Sequence, residues 1–194
     1  AFSGAGLTQV ILPANLTSLG TSAFFNCANL ETVVLNDLLE VLPDSVFQDC
    51  VKLPAIDLKN VASIGKMAFS GCATLADVDL TGVTAIGNYA FENAFTALAA
   101  EARPVITIPA SIETLGTYLF DGAAVKEVKF DGVPEKDGVP TLPNYMFSNS
   151  TIEKVVLPKG LVTLATGTFA GCKNVDITYP DTLTTIGQYA FKEY

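Results

Sequence analysis

The apolar positions of this chain recur in short alternating runs. Val10 and Leu12, Val33 and Leu35, Ile56 and Leu58, Val78 and Leu80, Ile106 and Ile108, Val128 and Phe130, Val155 and Leu157, and Ile177 and Tyr179 each enclose a single residue between two apolar ones. Period two over so short a stretch predicts a β-strand with one buried face. Pro13, Pro109, Pro158 and Pro180 directly follow the last inward residue and end the strand, because proline cannot extend a hydrogen-bond ladder.

A second pattern runs in phase with the first. Nine of the twelve phenylalanines fall at Phe2, Phe24, Phe47, Phe69, Phe91, Phe120, Phe147, Phe169 and Phe191, with spacings of 22, 23, 22, 22, 29, 27, 22 and 22. Five residues before each of the last eight stands Leu19, Leu42, Ile64, Ile86, Leu115, Leu142, Leu164 or Ile186. Glycine follows that aliphatic at Gly20, Gly65, Gly87, Gly116 and Gly187, and alanine precedes the phenylalanine at Ala23, Ala68, Ala90 and Ala190. One strand per unit of 22–23 residues predicts a solenoid, in which each unit buries its apolar face only against its neighbours. The expected architecture is an α/β solenoid over residues 1–194 as a single domain, with one short parallel strand and one short helical turn per unit. The helical turn is expected at the Ala-Phe segment. Parallel strands stacked at about 4.8 Å give a rod or arc on the order of 40 Å long.

Units such as Leu19-Gly-Thr-Ser-Ala-Phe-Phe-Asn-Cys-Ala-Asn-Leu30-Glu-Thr-Val-Val-Leu35 and Ile64-Gly-Lys-Met-Ala-Phe-Ser-Gly-Cys-Ala-Thr-Leu75-Ala-Asp-Val-Asp-Leu80 closely resemble the BspA-like leucine-rich repeat, also described as the Treponema pallidum type. The resemblance covers the whole chain. It implies a bacterial surface or secreted protein whose stacked repeats bind host matrix proteins or other cells. The chain departs from the general leucine-rich pattern in two respects: no asparagine ladder is visible, and two units carry insertions.

Composition narrows the chemistry. Acidic residues number 20 against 11 basic ones, a formal charge of −9, so a nucleic-acid partner is not expected. Arg103 is the single arginine, which leaves no arginine cluster to clamp phosphates. There is no histidine, which removes triads using His as base and His-ligated zinc. No apolar run approaches the ~20 residues of a membrane span, so no membrane insertion is expected of this segment. The chain starts Ala1-Phe2-Ser3-Gly4, without methionine and inside a unit, and is expected to be part of a longer chain with its targeting segment upstream.

Four cysteines, Cys27, Cys50, Cys72 and Cys172, each lie three residues after a ladder phenylalanine, and Ala94 and Ala123 hold the same place elsewhere. One repeat position used four times reads as a small buried group. A catalytic thiol would need a base, and four-cysteine zinc sites use short C-x-x-C pairs that are missing here. No metal or other cofactor is expected.

On the exposed strand face, two outward columns follow from the alternation. The first runs Gln9, Thr32, Ala55, Asp77, Val105, Glu127, Lys154 and Asp176, and the second Ile11, Val34, Asp57, Asp79, Thr107, Lys129, Val156 and Thr178. Asp57, Asp77 and Asp79 would cluster on adjacent strands, where like charges side by side are unfavourable unless a cation or a basic partner relieves them. A solvated acidic patch, a weak calcium site and a docking patch for a basic partner all fit that cluster, although calcium wants six to eight oxygens and no Asp-x-Asp-x-Asp-Gly loop is present. Glu127 and Lys129 extend the candidate surface along the strands.

Insertions near 94–104 and 131–141 lengthen two units. The first, alanine-rich with Phe95 and Leu98, is expected to lengthen the helical turn and stay linked to the core. The second reads as an exposed loop from its two Asp-Gly turns and two prolines, and adds Asp131, Glu135 and Lys136 to the candidate contacts. The function expected is non-enzymatic: a surface interaction scaffold for a protein partner, with a carbohydrate-binding or polysaccharide-active repeat protein as the alternative.

Overall fold

The computed structural model describes residues 1–192 as one stack of coils, each with three sides. The first side is the strand marked by the alternation: β1 (Gln9–Ile11), β2 (Thr32–Val34), β6 (Val105–Ile108), β8 (Glu127–Phe130), β11 (Lys154–Val156) and β13 (Asp176–Thr178). The second side carries two-residue strands that end on the Leu/Ile ladder. These are β3 (Val41–Leu42), β4 (Ser63–Ile64), β5 (Ala85–Ile86), β7 (Thr114–Leu115), β12 (Thr163–Leu164) and β14 (Thr185–Ile186). Coils pair in parallel and in register, Val10 opposite Val33, Ile106 opposite Val128 and Leu42 opposite Ile64. The pattern enforces that register, since a slip of one residue would carry every inward side chain to solvent.

The third side corrects the helical expectation. A helix would return each N–H to a carbonyl of its own coil. Here alternate N–H groups cross to the next coil instead. Ser22, Phe24 and Asn26 donate to the carbonyls of Asp44, Val46 and Gln48 at 2.9, 3.0 and 2.7 Å, while Ala23, Phe25 and Cys27 close local turns on Gly20, Ser22 and Phe24. Two residues per coil prevent continuous right-handed winding. Those two before and two after the ladder phenylalanine sit in the left-handed region, at φ 56° for Ser22 and 54° for Asn26. Each is the third residue of a four-residue turn, where positive φ reverses the chain. Among the described residues the helical structure amounts to the 3₁₀ turn Ala100–Ala102.

This turn ladder runs unbroken from Phe2 to Lys192. The second side is interrupted at residues 141–142, where Thr141 turns its N–H back to Pro134 at 2.9 Å. The first side is interrupted over residues 55–58 and 77–80, which are joined by the single bridge Ala55 to Asp77.

Inside the stack, the ladder phenylalanines from Phe24 to Phe169 are buried. Each ring lies on the next with centroids 5.3 to 5.9 Å apart from Phe2 through to Phe191. In the last described coil Tyr179 and Ile186, expected to point inward, are about half exposed.

The insertions behave differently from each other. Phe95 is fully buried and stacks on Phe91 at 5.9 Å, so the first stays tied to the core as expected, but through turns rather than a lengthened helix. The second is a hairpin of β9 (Glu135–Lys136) and β10 (Val139–Pro140), exposed from Glu135 to Val139 with Pro140 half-buried. Asp137 and Gly138 at its tip both have positive φ, 56° and 77°, as a two-residue hairpin turn demands.

Candidate interaction face

The first side presents the two outward columns to solvent, and the structure brings Asp57, Asp77 and Asp79 together on adjacent coils. It also shows what that costs the sheet. Among the described residues, no backbone hydrogen bond joins 32–35 to 55–58, or 77–80 to β6. Aspartate is disfavoured in strands, and carboxylates side by side repel. Asp57 and Asp79 also accept the N–H of Lys59 and Thr81, at 3.0 and 2.9 Å, local bonds that compete with the ladder. The bonds from Thr81 hold the Asp79 carboxyl below its ordinary pKa, so the group is ionised at neutral pH.

Shallow clefts open where the ladder is missing. One of about 310 Å³ is lined by Val34, Asn36, Asp57 and Lys59, a second of about 350 Å³ by Ala55, Asp57, Asp77 and Asp79, and a third of about 250 Å³ by Asp79, Thr81, Thr107 and Asp131. Asp131 thus joins the acidic group from the far side. No group of three or more acidic or thiol side chains converges among the described residues to hold a metal ion.

Further along the face the charge reverses. Glu127 lies between Lys129 and Lys154, with Nζ to carboxylate distances of 3.3 and 3.1 Å. Partial desolvation pushes its pKa up, but the two ammonium groups outweigh that and leave the carboxyl below its ordinary value. Glu127 is therefore a tether holding two lysines in place, and the trio carries one net positive charge. Glu135 and Lys136 are exposed on the hairpin and lie outside the two columns.

The model of the BspA type leucine-rich repeat region matches residues 1–123 and 103–194, in six copies. The chain belongs to the BspA-type leucine-rich repeat family. No curated protein matches it. Among solved structures it is similar to a leucine-rich repeat protein from Bacteroides ovatus, at 24% identity and TM-score 0.60, over 95% of this chain and 58% of that one. The pneumococcal vaccine antigen PcpA is similar at 20% identity and TM-score 0.63, with 95% and 59% covered. The Treponema pallidum leucine-rich repeat protein is similar at 26% identity and TM-score 0.52, with 93% and 73% covered. The chain therefore spans less than two thirds of the length of the first two.

In these BspA-type coils the cysteines have one structural task. Each thiol donates to the carbonyl of the ladder phenylalanine one coil earlier: Cys27 to Phe2 at 3.1 Å, Cys50 to Phe24 at 3.2 Å, Cys72 to Phe47 at 3.1 Å and Cys172 to Phe147 at 2.8 Å. All four are free and buried, and Ser150 fills the same position in another coil. Burial pushes the Cys50 thiol up to about 12 and raises Cys72 well above the usual value of 9.0. Cys50 and Cys72 are therefore expected to resist an aromatic disulfide reagent at pH 8 in the native chain and to react at once in denaturant, as read by mass spectrometry. A thiol held neutral in the fold ionises freely once unfolded, so its contribution to stability is complete below pH 9 and is lost as pH rises towards 12.

One surface feature of the repeats was not foreseen from the sequence. Tyr89, Tyr118 and Tyr145, each two residues before a ladder phenylalanine, stack at 4.8 and 4.7 Å on the turn side. Both faces of Tyr118 are thereby covered by its two neighbours. The sequence signal was tyrosine at that place in four units, with Tyr189 as the fourth.

Proposed function

We propose that this chain is a non-enzymatic interaction scaffold, displayed at a cell surface or secreted, that presents its strand face to a protein partner on extracellular matrix or on another cell. The observation that carries this reading is the strand face itself. Its acidic stretch of Asp57, Asp77, Asp79 and Asp131 stands open beside the lysines that Glu127 tethers, while the interior is filled by stacked apolar ladders. Family membership supports the scaffold role, because repeats of this kind bury their faces on one another and offer partners a long exposed surface. Two structural neighbours, a pneumococcal vaccine antigen and a protein from Faecalibacterium prausnitzii described as a cell surface protein, support the location.

The test is a binding screen against extracellular-matrix proteins and glycans, repeated with Asp57→Asn, Asp79→Asn and Lys129→Ala. A matrix-protein ligand whose affinity falls about tenfold in any of these variants supports the reading, since one lost charge-assisted contact is worth roughly 1.5–3 kcal/mol. Binding to glycans alone, or affinity unmoved by all three substitutions, overturns it.

A further inference from the structure

The order of side chains along the strand face is complementary to itself when reversed. In the second column the eight residues from Ile11 to Thr178 can be laid against a second copy running the other way. Val34 then meets Val156, Asp57 meets Lys129, Asp79 meets Thr107, and Ile11 meets Thr178. The first column, reversed in the same way, sets Gln9 against Asp176, Thr32 against Lys154 and Ala55 against Glu127. Val34 with Val156 is apolar with apolar, Asp57 with Lys129 acid with base, and Asp79 with Thr107, Thr32 with Lys154 and Gln9 with Asp176 set a hydroxyl or amide against a charge. The poor matches are Ala55 against Glu127, whose charge stays paired with its two lysines, and Asp77 against Val105, beside the centre, where the open cleft of the unpaired coils keeps the carboxylate wet.

We propose that this face docks a second copy of the same chain, with the solenoid axes antiparallel and a twofold axis parallel to the strands. Rotation about that axis preserves strand direction, reverses coil order and turns one face onto the other, so each contact is made twice, as an isologous interface requires. Ile11 and Val34 are exposed at 65% and 47%, an apolar end that no other element of the chain covers and that this arrangement buries. Asp57 of each copy lies against Lys129 of the other, so one acid–base contact is made twice, while Asp77 and Asp79 face Val105 and Thr107 near the twofold axis. Eight coils at ~4.8 Å and about 10 Å of exposed width bury about 400 Å² on each copy, roughly 800 Å² in total, the size of a weak, transient interface. The expected dissociation constant is therefore micromolar or weaker. Antiparallel axes suit copies projecting from opposed surfaces.

This inference rests on the reading that the strand face is the partner surface, and sedimentation equilibrium of the whole chain up to ~0.5 mM separates the two. The expected result is a mass rising with concentration from the monomer's 20.4 kDa towards twice that value. Asp57→Lys and Lys129→Asp, both at exposed positions, should each weaken association at least tenfold, and the double variant should restore it by exchanging the charges of every pair. A chain that stays monomeric, singles that associate like the wild type, or a folded double variant that fails to recover overturns the proposal. A monomeric chain that still binds a matrix protein through Asp57 sinks the dimer and leaves the proposed function standing; a dimer that binds nothing else does the reverse.

Discussion

Phe91→Ala is expected to destabilise the chain by about 3–5 kcal/mol, the usual range for emptying a large aromatic from a core that cannot collapse. The ring has no exposed surface and lies between Phe69 at 5.5 Å and Phe120 at 5.6 Å, with Phe95 at 5.9 Å. Its backbone is fixed on both sides by the turn ladder, Phe69 donating to Ala90 and Phe91 to Leu119 at 2.9 and 3.0 Å. The surrounding coils therefore have no inward movement available to close the gap. Stability in a stack is carried by contacts between neighbouring units, so a central vacancy weakens two junctions at once. Phe2→Ala, at a ring already 52% exposed and stacked on one side only, should lose much less. Urea unfolding of the two variants makes the comparison, and equal losses would contradict a stack of coupled coils.

Gly116→Ala should be the next most damaging, and the glycine that recurs after the Leu/Ile ladder residue is explained by it. A Cβ at position 116 would fall inside the backbone of Gly87 and Asn88 in the preceding coil, and one at Gly87 would lie 2.5 Å from the nitrogen of Lys66. These neighbours are main chain, held by the inter-coil ladder, in which Gly116 itself donates to Ile86 at 2.8 Å. Forcing a methyl group into such a contact costs about 1–3 kcal/mol or more. Gly20→Ala is the control, because nothing lies within 4 Å of its Cβ position. It should be neutral or stabilise by ~0.4–1 kcal/mol, through the freedom alanine removes from the unfolded chain. Opposite signs at two glycines of one repeat position would be read in the thermal midpoints.

The first strand side, its register and the buried phenylalanines were legible because burial imposes a period that composition cannot hide, whereas the two-residue strands ending on the Leu/Ile ladder, a second strand in each of six coils, were not expected. Val33, Ile106 and Val155 point inward for the same reason that Val34, Thr107 and Val156 point out. The turn side was misread as helical because alanine and phenylalanine beside one another suit a helix, and the deciding residues lay two positions further on. Gly4, Asn26, Asp49, Gly71, Asn93, Gly122, Asn149 and Gly171 all have positive φ, and are all of the three residue types that tolerate it best. That ladder of turn formers was present to be read.

Of the candidate face, the columns and the clustering of Asp57, Asp77 and Asp79 followed from the alternation. The loss of the ladder around them did not, since pairing depends on the balance between local bonds, such as that from Lys59 to Asp57, and bonds across coils. Glu127 shows the same limit. The columns already set Lys154 beside it and Lys129 two residues on, but that both ammonium groups close on its carboxylate depends on side-chain conformations that the alternation does not specify.

The turn ladder that joins every coil from Phe2 to Lys192 has a mechanical meaning. Its hydrogen bonds point along the stacking axis, so a pull on the two ends loads them one junction at a time rather than all together. Coils would peel singly, each releasing about 22 residues and hence roughly 75 Å of extended chain. The stretch over residues 55–80, where the strand side contributes almost no bonds of its own, would yield early. A tether of this kind lengthens in steps under load, and the segment that carries the load is the one with the least regular secondary structure.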